Sequence, residues 1–555
     1  MTGQSKLGLV IPPLVFVLLF LVVPLGTILV QGITTEEGGL TAGYLREIIA
    51  SPYYRRIIGF TLLQAAVSTV FAVALGLPGA YFLSHVAFPG KRFLKALATV
   101  PFVLPPILVV LGFILVFGNN GIINRALMAL SGAGKPPLKI LYSLGAIILA
   151  HGFYNFPIAM RVIGGVWERR SLKSIEAART LGAGGFAVFR TVTLPQILPG
   201  VLASALLIFL FCYLSFAVIL VLGGGPEYTT VEVEIYRLAK FSLDFRLAGA
   251  LAVIQSLIAG TVLAVYTRFQ RRESAGYLQQ ELPPMRRFGK LPLISRSGLS
   301  IYGVIVTVVV LLPLFAVVVR SFFARASWTS EAELTLKWYR TLFTGSTGGT
   351  SIAANTGRAL GNTLILGLLC SFFSVLAGTV AAYAVRTSRF KGLSTIVFML
   401  PMGISTVMLG FGYLRIAHYL DGGFIPWLFI VAAHTVIAYP FVYRTVQSIL
   451  SRMSTSLTDA ALTLGASRFG AFRTVDYPLL KNGLVAGGAF AFALSAGEMN
   501  ATIMIAPEGF VTAPLAVYRL IGSYNFFGAC ALGSFLVLMC LGAFYLIDRL
   551  SGFEV

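Results

Sequence analysis

Apolar residues run along this chain in blocks of about 20 or more, separated by short polar stretches. Each block can cross a hydrocarbon layer of about 30 Å as a helix. The blocks fall into two sets of six. The first set covers about 8–31, 58–84, 95–117, 143–166, 199–222 and 246–267. The second covers about 298–319, 359–385, 393–417, 425–446, 482–505 and 526–548. The run that begins at Leu7 is too long for the core of a signal peptide and reads as the first span. Alternating strands of about ten residues are absent, which disfavours a membrane barrel. The predicted fold is an all-α integral membrane protein of about 12 transmembrane helices in two tandem six-helix modules. Residues 1–267 form the first module and 298–555 the second, joined by a polar basic linker at 268–297.

The two halves share a long stretch. Glu176–Pro195 reads EAARTLGAGGFAVFRTVTLP and Asp459–Pro478 reads DAALTLGASRFGAFRTVDYP, 283 positions apart. His151 and His434 keep that spacing, as do Pro157 and Pro440. This is one module written twice. Six spans per half give both halves the same orientation, so the modules are parallel repeats about a pseudo-two-fold axis along the membrane normal. Each copy starts with helix formers, breaks at Gly182 or Gly465, and stops at Pro195 or Pro478. The pattern predicts two short helices joined by a glycine elbow outside the bilayer. Glu176 or Asp459 is expected at the positive end of the first helix. Phe186, Phe189, Phe469 and Phe472 are expected to supply apolar knobs. An isolated copy could instead be a helix lying on lipid headgroups, a reading that the duplication weakens.

Composition agrees with the pattern. The chain is 57% hydrophobic and 11% charged, with mean hydropathy +0.87, whereas soluble domains carry about 25% charged residues. Lys and Arg number 42 against 20 Asp and Glu, a net charge of +22. The basic residues flank the spans, so topology accounts for them and a nucleic-acid partner is not expected. The linker, the two repeated stretches, Lys91-Arg92 and Arg389–Lys391 mark the cytoplasmic side, with both termini on it. The linker charges are also placed to touch anionic lipid. Cys212, Cys370, Cys530 and Cys540 lie inside apolar runs without CxxC spacing, so neither a disulfide nor a metal site is indicated.

The motif Glu-Ala-Ala, three residues, Gly, then a run to hydrophobic-x-Leu-Pro resembles the EAA loop. That loop marks the permease subunits of binding-protein-dependent ABC importers. The second copy departs from it modestly, with Asp459 for Glu and Tyr477 before Pro478 where Leu is usual. The resemblance implies that Glu176–Gly182 and Asp459–Gly465 are coupling helices docking in grooves of an ATP-binding subunit. Their implied contact residues are Glu176, Ala177, Ala178, Gly182, Asp459, Ala460, Ala461 and Gly465. It also implies two copies of an ATP-binding cassette subunit, a soluble solute-binding protein, surrounding membrane lipid and a small-molecule solute. The implied location is the bacterial inner membrane, with the termini cytoplasmic. No GxxxxGK[ST] is present. The nearest string, SGAGKPP at Ser131–Pro137, has Ala129 where the first glycine should stand and runs into Pro-Pro. ATP and Mg are therefore expected on the partner, with no cofactor and no catalysis in this chain.

LGGGPEYTTVEVEIY (Leu222–Tyr236), APLAVYRLIGSY (Ala513–Tyr524) and LPMGISTVMLGFGYL (Leu400–Leu414) resemble the fused thiamine permeases and, more distantly, the ferric-iron permeases of the same branch. Glu498, beside Asn500 in the eleventh block, is a candidate lining of the solute path. A charge at a helix centre costs about 2.5–3.5 kcal/mol on insertion scales and so faces a cavity or a partner. A structural pair with an arginine is the alternative. Ser215, Tyr213, Gln64, Asn362 and Gln255 are further candidates, which can equally bond helices together. His151 and His434 stand at matching places, and their symmetry favours a packing or hydrogen-bonding role over metal binding. A twelve-span secondary transporter would lack the twin elbows. A membrane enzyme would need an acidic or histidine cluster that the sequence does not show.

Overall fold

The computed structural model describes residues 3–168, 172–275, 285–323, 333–344, 356–388, 390–420 and 426–551. The middle of the linker (276–284) and Arg169, Arg170 and Arg389 lie outside the described residues. Among those described, eleven helices are long and apolar enough to span a membrane. A twelfth span is the pair Lys391–Gly403 and Thr406–His418, bent by 90°. In chain order these spans match the twelve apolar blocks.

Four blocks expected as unbroken helices are broken. Block three is Lys91–Val103 followed by Pro106–Phe117, interrupted at Leu104-Pro105. Block nine breaks at Ile404-Ser405. In the fifth span the helix ends at Tyr213 and restarts at Ala217, and in the eleventh it ends at Gly497 and restarts at Asn500. Proline explains the first of these breaks, since Pro105 and Pro106 cannot donate to the helical ladder. The fifth and eleventh contain no proline at the break. Freed backbone groups are tolerable at membrane depth where they line a cavity, and all four breaks do so, as described below.

The first span of each half lies on the other half. Val10–Gln31 packs against spans 8 and 9. The Tyr413 hydroxyl donates to the Phe20 carbonyl at 2.7 Å, and Arg415 Nε donates to Gln31 Oε1 at 3.0 Å. The approach at Gly412 leaves no room for a side chain, because a Cβ there would meet the Pro24 carbonyl oxygen at 2.3 Å. Reciprocally, Leu293–Arg320 packs against Pro106–Phe117 of the first half. Tyr302 there donates to the Leu75 carbonyl at 3.1 Å. Small residues at such crossings let backbones touch, as expected where lipid removes any hydrophobic drive between helices.

The stretches after spans 5 and 11 fold inward as short helices, Val231–Arg237 and Ala513–Gly522. Each is capped by a threonine of a span: Val231 N donates to Thr61 Oγ1 at 3.0 Å and Ala513 N to Thr363 Oγ1 at 2.8 Å. Glu232 and Glu234 of the first stretch are fully buried.

Candidate functional site

The repeated stretch forms the helices Leu172–Thr180 and Thr455–Thr463, each ended by a left-handed glycine. Gly182 has φ +85° and Gly465 φ +89°, a region that glycine enters at no steric cost. The chain reverses through matching hydrogen bonds, Ala183 N to Ala178 O at 3.0 Å and Ala466 N to Ala461 O at 3.1 Å. Two expectations are corrected here. Glu176 and Asp459 stand inside their helices rather than at the N-termini, because those helices begin four residues earlier. The second piece is the foot of a span and does not stop at proline: Gly185–Tyr213 and Phe469–Gly497 run on past Pro195 and Pro478. A wide π turn, Phe189–Thr193 or Phe472–Asp476, precedes each proline and absorbs the clash it would cause.

Both elbows project. Leu181 is 88% exposed and Leu464 89%, and Phe186 and Phe469 are exposed beside them. Phe189 is only partly exposed, and Phe472 turns inward against Tyr383. Ala177, Gly182, Ala460 and Gly465 are exposed, and Ala178 and Ala461 partly so. With the bent pair counted as one span, six spans separate the elbows, and the chain path puts them on one face. The exposed leucine was missed at the level of sequence, although an apolar residue just before the glycine in both copies was the available signal.

The second feature is a central cavity of about 310 Å³. Its lining includes Leu104–Pro106, Leu214–Val218, Ile404–Thr406 and Gly497–Asn500, one segment from each broken span. The volume is at the lower end of the range for small-molecule sites, about 300–1,000 Å³. Glu498, Asn500 and Ser215 are brought together in this lining. Glu498 Oε1 accepts from Ala501 N at 2.8 Å, and Asn500 Nδ2 donates to Thr406 Oγ1 at 3.0 Å, tying two breaks together. Among the described residues no cation pairs with Glu498; the ion pairs are Arg237–Glu234 and Arg246–Glu36. Ser215 holds the position equivalent to Glu498 in the first half, so the symmetric cavity carries an asymmetric charge.

The other candidates sit elsewhere. Gln64 Nε2 donates to the Cys212 carbonyl at 2.9 Å, and Asn362 Nδ2 to the Val511 carbonyl at 2.9 Å. Gln255 Nε2 donates to Glu232 Oε1 at 2.8 Å. Tyr213 is buried, and its hydroxyl has no hydrogen-bond partner among the described residues. Gln64, Asn362 and Gln255 thus join elements, as polar groups inside membranes commonly do.

The two histidines are buried and bond differently. His151 Nδ1 pairs with Ser68 Oγ at 3.1 Å. His434 pairs with Ser495 Oγ at 2.7 Å through Nδ1 and with Thr502 Oγ1 at 2.9 Å through Nε2, so its ring staples the two sides of the eleventh-span break. Replacing His434 with Ala is expected to destabilise the purified protein by about 2–4 kcal/mol, since it removes two buried hydrogen bonds and leaves a void. Thermal unfolding in detergent measures this. A melting temperature equal to that of the unsubstituted chain would refute the staple.

The profile of binding-protein-dependent transport system inner membrane components matches residues 72–274 and 374–552, together more than half the chain. The thiamine transport system permease protein ThiP of Brucella abortus is 28% identical over 523 residues, covering 93% of this chain and 90% of that protein. ThiP of Escherichia coli is 25% identical, covering 91% and 90%. The putative ferric transport system permease protein FbpB 1 of Haemophilus influenzae is 25% identical, covering 87% and 73%. With its twin exposed elbows, its twelve spans and these matches, the chain belongs to the family of inner membrane components of binding-protein-dependent transport systems.

Proposed function

We propose that this multi-pass protein is the two-module permease of an ATP-driven importer, and that it carries thiamine or a related pyrimidine cation into the cytoplasm. The observation that carries the solute class is Glu498, a carboxylate without an ion-pair partner among the described residues, in the cavity where four broken spans meet. A charge within a membrane span is costly unless something positive visits it. The relatives named for thiamine transport support the choice within cations. In this reading the modules are 1–267 and 298–555, and the elbows and both termini face the cytoplasm. A soluble binding protein delivers solute at the opposite face. Two copies of an ATP-binding subunit grip Glu176–Gly182 and Asp459–Gly465, with ATP and Mg held there. Their closure tilts the halves about the pseudo-two-fold axis and opens the cavity to alternate sides. Ferric iron is the second reading, on the strength of the ferric relative.

Uptake into proteoliposomes tests the proposal, with the chain, an ATP-binding subunit and a binding protein reconstituted together. ATP-dependent accumulation of labelled thiamine, with none of a ferric chelate, is the expected result. Accumulation of iron instead would transfer the assignment. Uptake driven by an ion gradient with this chain alone would overturn the importer itself.

A further inference from the structure

The two elbows, alike in sequence, are seated differently, and the difference centres on a buried carboxylate that the solute path does not use. Asp476 closes the π turn at the foot of the eleventh span and is 4% exposed. Its Oδ1 accepts from the Thr458 hydroxyl at 2.9 Å and its Oδ2 from the Tyr383 hydroxyl at 2.8 Å. Thr458 belongs to the elbow helix Thr455–Thr463, and Tyr383 to the last turns of the eighth span, Thr356–Thr387. One carboxylate therefore ties the elbow to two spans. The Phe472 ring adds an edge contact to Tyr383 at 6.0 Å.

Among the described residues, no carboxylate ties the first elbow in this way. The positions equivalent to Thr458 and Asp476 hold Ile175 and Thr193, and the tyrosine of Gly-Ala-Tyr in span 2, Tyr81, matches that of Ala-Ala-Tyr in span 8. Ile175 is a buried apolar plug. Tyr81 stacks on His85 at 4.8 Å and meets Trp167 edge-on at 5.5 Å, at the ends of spans 2 and 4. Apolar packing is non-directional and lets surfaces slide, whereas hydrogen bonds to a buried carboxylate fix direction and are the stronger kind. Burying Asp476 is costly unless its oxygens are bonded, and here both are.

We propose that Asp476 is a positioning residue that couples the second elbow to spans 8 and 11, making the two elbows mechanically non-equivalent. The second transmits the partner's motion through hydrogen bonds, the first through packing of Ile175. This rests on the importer reading above.

The test uses the reconstituted complex and measures both uptake and ATP hydrolysis. Tyr383→Phe and Thr458→Val each delete one donor while keeping shape, and Tyr81→Phe is the first-half control. The expected result is a fall of at least about fivefold in solute moved per ATP hydrolysed for each second-half variant. The ATP-binding subunit stays bound, and Tyr81→Phe stays within about twofold of the unsubstituted complex. Asp476→Asn, which keeps the shape, is expected to fall further. If Tyr383→Phe behaves as Tyr81→Phe does, the proposal is overturned. It is equally overturned if yield or melting temperature drops while solute per ATP is unchanged, which is the mark of a purely structural contact. An unsubstituted complex that accumulates nothing on adding ATP would instead sink the importer reading, before any variant is compared.

Discussion

Changing both Leu181 and Leu464 to Glu is expected to release the ATP-binding subunit while leaving the membrane portion folded. Both side chains are almost wholly exposed, so the permease gains nothing from them and loses nothing when they go. In the proposed importer a partner groove is their destination. A buried anchor of this kind is worth about 2–4 kcal/mol by truncation, which is ~30- to 1,000-fold in affinity for each elbow. Glutamate adds the cost of pushing a charge into that groove. The measurement is the ratio of ATP-binding subunit to tagged permease after purification, with the permease melting temperature as a control. An unchanged ratio would remove the elbows from the docking surface. The glycines are the weaker targets, because a side chain at Gly182 or Gly465 would meet open space and only the positive φ resists it.

Glu498→Gln is expected to reduce uptake of the cationic solute about 10- to 150-fold, the worth of one charge-assisted hydrogen bond of about 1.5–3 kcal/mol. The amide oxygen can still accept from Ala501 N, so the break at Gly497–Asn500 should persist and the protein should fold. A companion variant moves the charge across the pseudo-two-fold axis, Ser215→Glu with Glu498→Ser. It is expected to recover part of the uptake, because both positions line the same cavity. The solute assignment fails if Glu498→Gln transports as the unsubstituted chain does.

The twin elbow was the most legible feature of the chain. A glycine that follows a run of helix formers at the same place in both copies specifies a left-handed turn, and local backbone sterics decide that without help. Pro195 and Pro478 misled the reading, because their ordinary meaning is a helix stop. The π turn before each one depends on hydrogen-bond spacing that leaves no mark in the residue pattern. Glu498 and Ser215 were recognisable as path candidates from their cost in an apolar block. Gln64, Asn362 and Gln255 carry the same signal, and which polar side chain meets the cavity depends on where its neighbour's carbonyl lies.

By itself the sequence determined the membrane class, the number of spans, the duplication and the elbows, since all of these follow from local hydropathy, repetition and backbone sterics. Tertiary structure alone decided where the fifth and eleventh spans break, where no proline stands, and which half each first span covers. Those choices rest on contacts between residues 93 to 393 positions apart, such as Tyr413 with Phe20, Asn500 with Thr406 and Asp476 with Tyr383. An apolar block without a proline reads the same whether its helix is whole or broken, because the energy that holds such a break open comes from the helices around it.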